Sequence, residues 1–155
     1  MKLTTRQGVS GGDHGRTVTR EGDRTAAGAA PKPGAAQRKT LLIVDDDETF
    51  AYAASRYLES VGYATVVASG SMEAFRVLER TSVDLMIADV RLHDSEPHGV
   101  SLGRMLRNRN PAFPVLLVTA YPALIEQEKP LPGPVLVKPV ELSDLAKAVE
   151  EALRG

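Results

Sequence analysis

The chain has no cysteine and no tryptophan, and only 5% of its 155 residues are aromatic. Without cysteine there are no disulfides, no thiolate nucleophile and no Cys-ligated zinc, which fits a reducing compartment, so a cytoplasmic location is expected. No apolar run approaches the roughly 18 residues needed to cross a bilayer, and nothing near Met1 joins a charged segment to an apolar one. Neither membrane insertion nor export by a signal peptide is expected.

The formal charge of -1 hides an asymmetry. Residues 1–40 hold eight Lys or Arg against Asp13, Glu21 and Asp23, a net +5, which leaves -6 for the rest. That leader is rich in Gly, Thr and Ala and has no apolar periodicity. It cannot bury enough apolar surface to offset chain entropy, so residues 1–39 are expected to be a disordered basic leader and 40–155 a folded domain. The leader also lacks aromatics and blocks of like charge, which argues against a nucleic-acid or membrane-surface arm.

After PKPG at 31–34, short apolar runs alternate with amphipathic segments. The runs predict strands at 41–44, 64–68, 85–88, 115–118 and 135–137. Between them, helices are expected over 48–60 (Phe50, Ala53, Ala54, Tyr57, Leu58 and Val61 inward), 72–79 (Met72, Phe75, Val77 and Leu78), 99–107 and 142–153. Gly62 should end the first helix as a left-handed cap. Residues 122–134 make a weak helix at best, because Pro122, Pro130, Pro132 and Pro134 crowd them. Near-continuous apolar strands joined by helical crossovers imply an α/β fold, a parallel sheet covered on both faces.

In such a sheet, ligands bind beyond the carboxyl ends of the strands. Those ends carry Asp45, Asp46 and Asp47 after the first strand, Asp89 after the third, Thr119 after the fourth and Lys138 after the fifth. Taken singly, each has a plain structural explanation: a helix cap, a turn or a surface charge. Crowded carboxylates at the mouth of a buried strand disfavour ionisation unless a cation sits among them. Together, the carboxylates, hydroxyl and ammonium form the inventory for Mg2+-assisted phosphoryl chemistry.

This pattern resembles the receiver domain of two-component response regulators, over residues 40–154. VDD at 44–46, DLMIAD at 84–89, VTA at 118–120 and KP at 138–139 match in the family's order. The resemblance implies a flavodoxin-like doubly wound five-stranded parallel sheet of order 2-1-3-4-5. It implies Asp89 as phosphoacceptor, Mg2+ held by Asp45, Asp46 and the main-chain carbonyl of Arg91, and Thr119 and Lys138 bonding the phosphoryl oxygens. It also implies a cis Lys138–Pro139 bond, and a sensor histidine kinase or histidine phosphotransfer protein as upstream partner, approaching the first and last helices. Asp89 would take up and lose a phosphoryl group without the chain being an enzyme in the usual sense.

Three features depart from the family pattern. The usual aromatic three residues before the lysine is replaced by Val135, and Tyr121 is the candidate to take over part of its role. LVTAY at 117–121 and PVLVKP at 134–139 are similar to a subset of stand-alone receivers that also lacks that aromatic. The segment between Thr119 and Lys138 is short, and the loop after Asp89 is long and carries His93 and His98, expected to be solvent-exposed. Arg91 and Tyr121, each two residues beyond a site residue, flank the path by which water would reach an aspartyl phosphate.

Two other functions compete. Asp45, Asp47 and Thr49 spell D-x-D-x-T, which resembles the first motif of haloacid-dehalogenase-type phosphatases, with Asp45 as nucleophile and Asp47 as general acid. That reading leaves Asp89 without a role and lacks a further acidic strand end after Lys138. The other rival is a receiver-shaped binding module that is never phosphorylated. Because the last helix is followed at once by Gly155, output is expected through contact with an unknown downstream protein, with no nucleic-acid partner.

Overall fold

Five parallel strands, β1 (Thr40–Val44), β2 (Ala64–Ala68), β3 (Leu85–Asp89), β4 (Val115–Thr119) and β5 (Val135–Val137), form one sheet in the order β2-β1-β3-β4-β5. This is the expected doubly wound order. The computed structural model describes residues 36–92 and 98–155. The expectations for leader residues 1–35 and for His93 lie outside the described residues.

Burial on both faces explains why the inner strands β1, β3 and β4 read as unbroken apolar runs, since successive side chains point to opposite sides, whereas the edge strands β2 and β5 leave Val67 and Val137 exposed. Leu42, Val44, Met86, Ala88, Val115 and Leu117 pack with Ala74 of α2 (Ser71–Arg80) and with Val100, Leu102 and Leu106 of α3 (Gly99–Arg109). Leu41, Ile43, Leu85, Ile87, Leu116 and Val118 pack with Ala51, Ala54 and Leu58 of α1 (Glu48–Ser60) and with Leu145 and Val149 of α4 (Leu142–Arg154). Each fully buried Leu or Ile contributes about 1.5–3 kcal/mol, so the two layers fix strand register and helix placement together.

The helix ends are set by local chemistry. The Asp47 carboxylate accepts the Thr49 and Phe50 N–H groups at 3.1 Å each, an N-cap worth about 0.5–2 kcal/mol. At the other end of α1, Gly62 takes φ 108°, as expected. Two inward assignments are corrected: Val61 is 50% exposed and Met72 59% exposed. Val61 is the C-cap of α1, where helical spacing no longer sets direction. On α2, the buried positions are Ser71 and Ala74, with Phe75 and Leu78 half-buried beside them, which turns Met72 outward.

The proline-rich stretch after β4 makes a 3₁₀ turn at Pro122–Glu128 and then an irregular strap that bends at Pro130, Pro132 and Gly133. Pro130, Pro132 and Pro134 have no N–H to donate, so the strap's carbonyls find partners elsewhere. Arg104 donates from Nε to the Pro130 carbonyl at 3.3 Å and also reaches the Glu128 carbonyl, and Arg107 donates to the Pro132 carbonyl at 3.2 Å. A Cβ on Gly103 would come within 2.7 Å of buried Pro132, so a glycine is what lets the strap lie against α3.

Candidate functional site

From β1 the chain moves outward to β2 on one side, and from β3 it moves outward to β4 on the other, so a crevice opens beyond the ends of β1 and β3. Asp45 follows β1 and Asp89 ends β3, which sets two carboxylates side by side there. Both are buried, at 1% and 8% exposure, and one carboxylate oxygen each from Asp45, Asp46 and Asp89 lie within 4.8 Å of one another. Lys138, just past β5, reaches this group from across the sheet. Its Nζ donates to Oδ2 of Asp45 at 2.7 Å and to Oδ2 of Asp89 at 3.3 Å.

The remaining oxygens are oriented by backbone N–H groups. Asp47 N–H donates to Oδ1 of Asp45 at 2.9 Å, and Arg91 N–H donates to Oδ1 of Asp89 at 3.0 Å. Lys138 is located by its own N–H, which donates to the Thr119 carbonyl at 2.8 Å, and its bond to Pro139 is cis. A cavity of about 250 Å³ above the carboxylates is lined by Asp46, Asp47, Asp89, Arg91, Ala120, Tyr121 and Lys138.

Charge within the site is unbalanced, since one ammonium faces three carboxylates. Burial pushes the Asp89 carboxyl above its ordinary value; the Arg91 N–H works the other way, the Asp45 charge adds to the rise and Lys138 opposes it. Burial alone would lower the Lys138 ammonium, but hydrogen bonding and attraction to Asp45 and Asp89 outweigh it, and its pKa is raised. An anionic group of hard oxygen donors fits a small divalent cation, and the spacing of the three carboxylates permits one ion to touch all of them.

Thr119 is fully buried, and its hydroxyl accepts the Tyr121 N–H at 2.9 Å. Tyr121 is 53% exposed, with the Arg91 guanidinium 5.7 Å from its ring centroid. Val135 is half-buried in the layer shared with α2 and α3. His98, expected at the surface, is half-buried just before α3. Asp47, the general acid of the D-x-D-x-T reading, is exposed and occupied as the α1 cap.

Two contacts escape sequence reasoning. The Phe50 ring centroid lies 4.4 Å from Lys138 Nζ. A Cβ on Gly99 would fall 1.9 Å from the Asp89 carbonyl oxygen, so only glycine allows α3 to begin against the end of β3. A glycine opening a helix hints at the second; nothing in the spacing of Phe50 and Lys138 hints at the first.

Residues 41–150 match the response regulator receiver domain family. Over 116 residues the chain is 34% identical to the transcriptional regulatory protein GlrR of Escherichia coli (strain K12), covering 73% of this chain and 26% of that protein. The chain thus spans about a quarter of the length of the curated relatives it matches first. A receiver domain protein (CheY-like) from Methanospirillum hungatei JF-1 superposes with a TM-score of 0.68 at 27% identity, covering 76% of this chain and 95% of the other. A response regulator from Thermotoga maritima gives 0.65 at 25% identity, covering 77% and 100%. No helix among the described residues is long and apolar enough to cross a membrane. The four matched strand ends, the sheet order and these likenesses agree: the chain belongs to the receiver domain family of two-component response regulators.

Proposed function

We propose that Asp89 accepts a phosphoryl group from a phosphohistidine of a sensor kinase or histidine phosphotransfer protein, and that the resulting aspartyl phosphate is read by a partner protein. The observation that carries this reading is the meeting of Asp45, Asp46, Asp89 and Lys138 beneath one open cavity. A carboxylate oxygen of Asp89 attacks phosphorus, the P–N bond to the donor imidazole breaks, and an acyl phosphate remains on Asp89. Mg2+, held by Asp45, Asp46 and the main-chain carbonyl of Arg91, would neutralise the charge that otherwise keeps an anionic donor away.

Lys138 turns from Asp89 Oδ2 to a phosphoryl oxygen, which stabilises the charge spread over the equatorial oxygens during transfer. Thr119 bonds another of those oxygens with its hydroxyl hydrogen, whose oxygen already accepts the Tyr121 N–H. Movement of Thr119 is thereby tied to movement of Tyr121, and the exposed Arg91–Tyr121 pair is where the state of the site meets solvent. Domain limits of 1–39 and 40–155, a cytoplasmic setting and output by protein contact belong to the same reading.

The test is incubation with Mg2+ and acetyl phosphate, followed by intact mass measurement. A gain of one phosphoryl group that is stable in acid, labile to hydroxylamine and absent from Asp89→Asn supports the reading. No gain overturns it in favour of a receiver-shaped module that acts unphosphorylated.

A further inference from the structure

Lys138 is held by more than its carboxylate partners. The ammonium lies 4.4 Å from the centroid of the Phe50 ring, well inside the distance at which a cation is attracted by the negative face of an aromatic ring. Phe50 is placed for this from the sequence upward. Asp47 accepts the Phe50 N–H at 3.1 Å and so starts α1 at a fixed point, and the ring packs against the layer formed by α1, α4 and the sheet. The lysine side chain is only 15% exposed, so little water competes for its charge. The aromatic therefore sits on an element distant in sequence from the lysine, yet is anchored next to the carboxylates on which the lysine acts.

We propose that Phe50 is a positioning residue whose ring holds the Lys138 ammonium over Asp89 for phosphoryl transfer. The proposal rests on the reading of Asp89 as phosphoacceptor. The ring contributes something the carboxylates cannot. Lys138 makes its shortest contact with Asp45, but Asp45 also belongs to the carboxylate group that suits a divalent cation, so that carboxylate would be shared between two positive partners. The Asp89 contact is also given up when that carboxylate becomes esterified to phosphorus. The ring changes with neither event. It keeps the ammonium near one position while both carboxylate contacts are redistributed, leaving the cation free to rotate a hydrogen toward the phosphoryl oxygens. A merely packed Phe50 would need apolar volume only, and leucine would serve.

The test uses the full chain with 13C-labelled lysine. In the unphosphorylated protein, ring currents from Phe50 should displace the Lys138 ε-methylene resonances, an effect kept in Phe50→Tyr and lost in Phe50→Leu. Phosphorylation by acetyl phosphate should slow by about 3- to 10-fold in Phe50→Leu, recover in Phe50→Tyr, and fall progressively when position 50 carries mono-, di- and pentafluorophenylalanine, which keep the ring's shape while draining its negative face. An unchanged resonance in Phe50→Leu, or a flat rate across the fluorinated series, overturns the proposal even if Asp89 is phosphorylated normally. A wild-type chain that shows the displaced resonance but takes up no phosphoryl group instead overturns the Asp89 reading, and with it any role of the contact in transfer.

Discussion

Lys138 Nζ lies closer to Asp45, at 2.7 Å, than to Asp89, at 3.3 Å. The ammonium is therefore bound chiefly by a residue proposed to hold metal, and on that reading the two cations would compete for one carboxylate. Lys138→Met should lose phosphoryl transfer yet bind Mg2+ more tightly than wild type. Without metal it should be destabilised by about 3–5 kcal/mol, the cost typical of leaving buried charge unpaired. Urea denaturation with and without Mg2+ measures both effects, and a variant whose Mg2+ affinity falls would show that the lysine helps to hold the metal.

Mg2+ should stabilise the fold itself. A ligand present at 100 times its Kd and bound only by the native state adds about 2.7 kcal/mol. Thermal denaturation should show Tm rising with Mg2+ in wild type and unmoved in Asp45→Asn or Asp46→Asn. Equal rises in all three would place the ion elsewhere.

Gly99→Ala should disturb the site without touching a charged group. The new methyl would fall 1.9 Å from the Asp89 carbonyl, so α3 must shift away from β3. Overpacking of this kind costs about 1–3 kcal/mol, and the yield of Asp89 phosphorylation should fall with it. Unchanged stability by urea titration would mean that α3 moves freely there.

Arg91 and Tyr121 stack beside the cavity that holds Asp89. If they exclude attacking water, Arg91→Ala combined with Tyr121→Ala should shorten the acyl-phosphate lifetime by about 3- to 10-fold, the equivalent of roughly 1 kcal/mol in barrier. The decay of phosphorylated protein after removal of donor reads this directly, and an unaltered lifetime would exclude shielding.

Two carboxylates should give stability opposite dependences on pH. Asp84 accepts the Thr40 N–H at 2.8 Å and pairs with Lys39 at 3.0 Å. Burial works to raise its pKa, but these bonds outweigh it and hold the value below the ordinary 3.8. The unfolded chain then binds the proton more readily, so the stabilisation is present above pH 3.8 and is lost as pH falls through the folded value. The gap in stability between wild type and Asp84→Asn should close on acidification. Asp89, raised above 3.8 chiefly by burial, has the opposite sign: the folded state binds the extra proton, and stability falls as pH rises from 3.8 through its folded value. Asp89→Asn should remove that fall when metal is absent.

The sheet was legible because its inner strands are buried on both faces, which leaves runs such as LLIV and LMIA without polar interruption. The strand ends were legible because β-strands that stop at a crevice must stop on polar residues, and Asp45, Asp89, Thr119 and Lys138 stand at four such stops. Contacts between elements were not. Phe50 reads as one more apolar residue of α1, and only the tertiary fold lays its ring beside Lys138. Helical spacing placed Met72 inward because it cannot tell which of two adjacent apolar stripes will face the sheet, and small Ala74 was the better fit. In the strap after β4 the prolines announced the broken helix, but not what holds it: its carbonyls are satisfied by Arg104 and Arg107, partners that no local rule supplies.

The most direct measurement is peptide mapping after the chain is phosphorylated with Mg2+ and acetyl phosphate and then reduced with borohydride, which converts an aspartyl phosphate to homoserine. Conversion at residue 89 alone, dependent on Mg2+, is the expected result. Conversion at Asp45 would instead support the phosphatase-type nucleophile, and conversion at neither would contradict phosphoryl transfer to this site altogether.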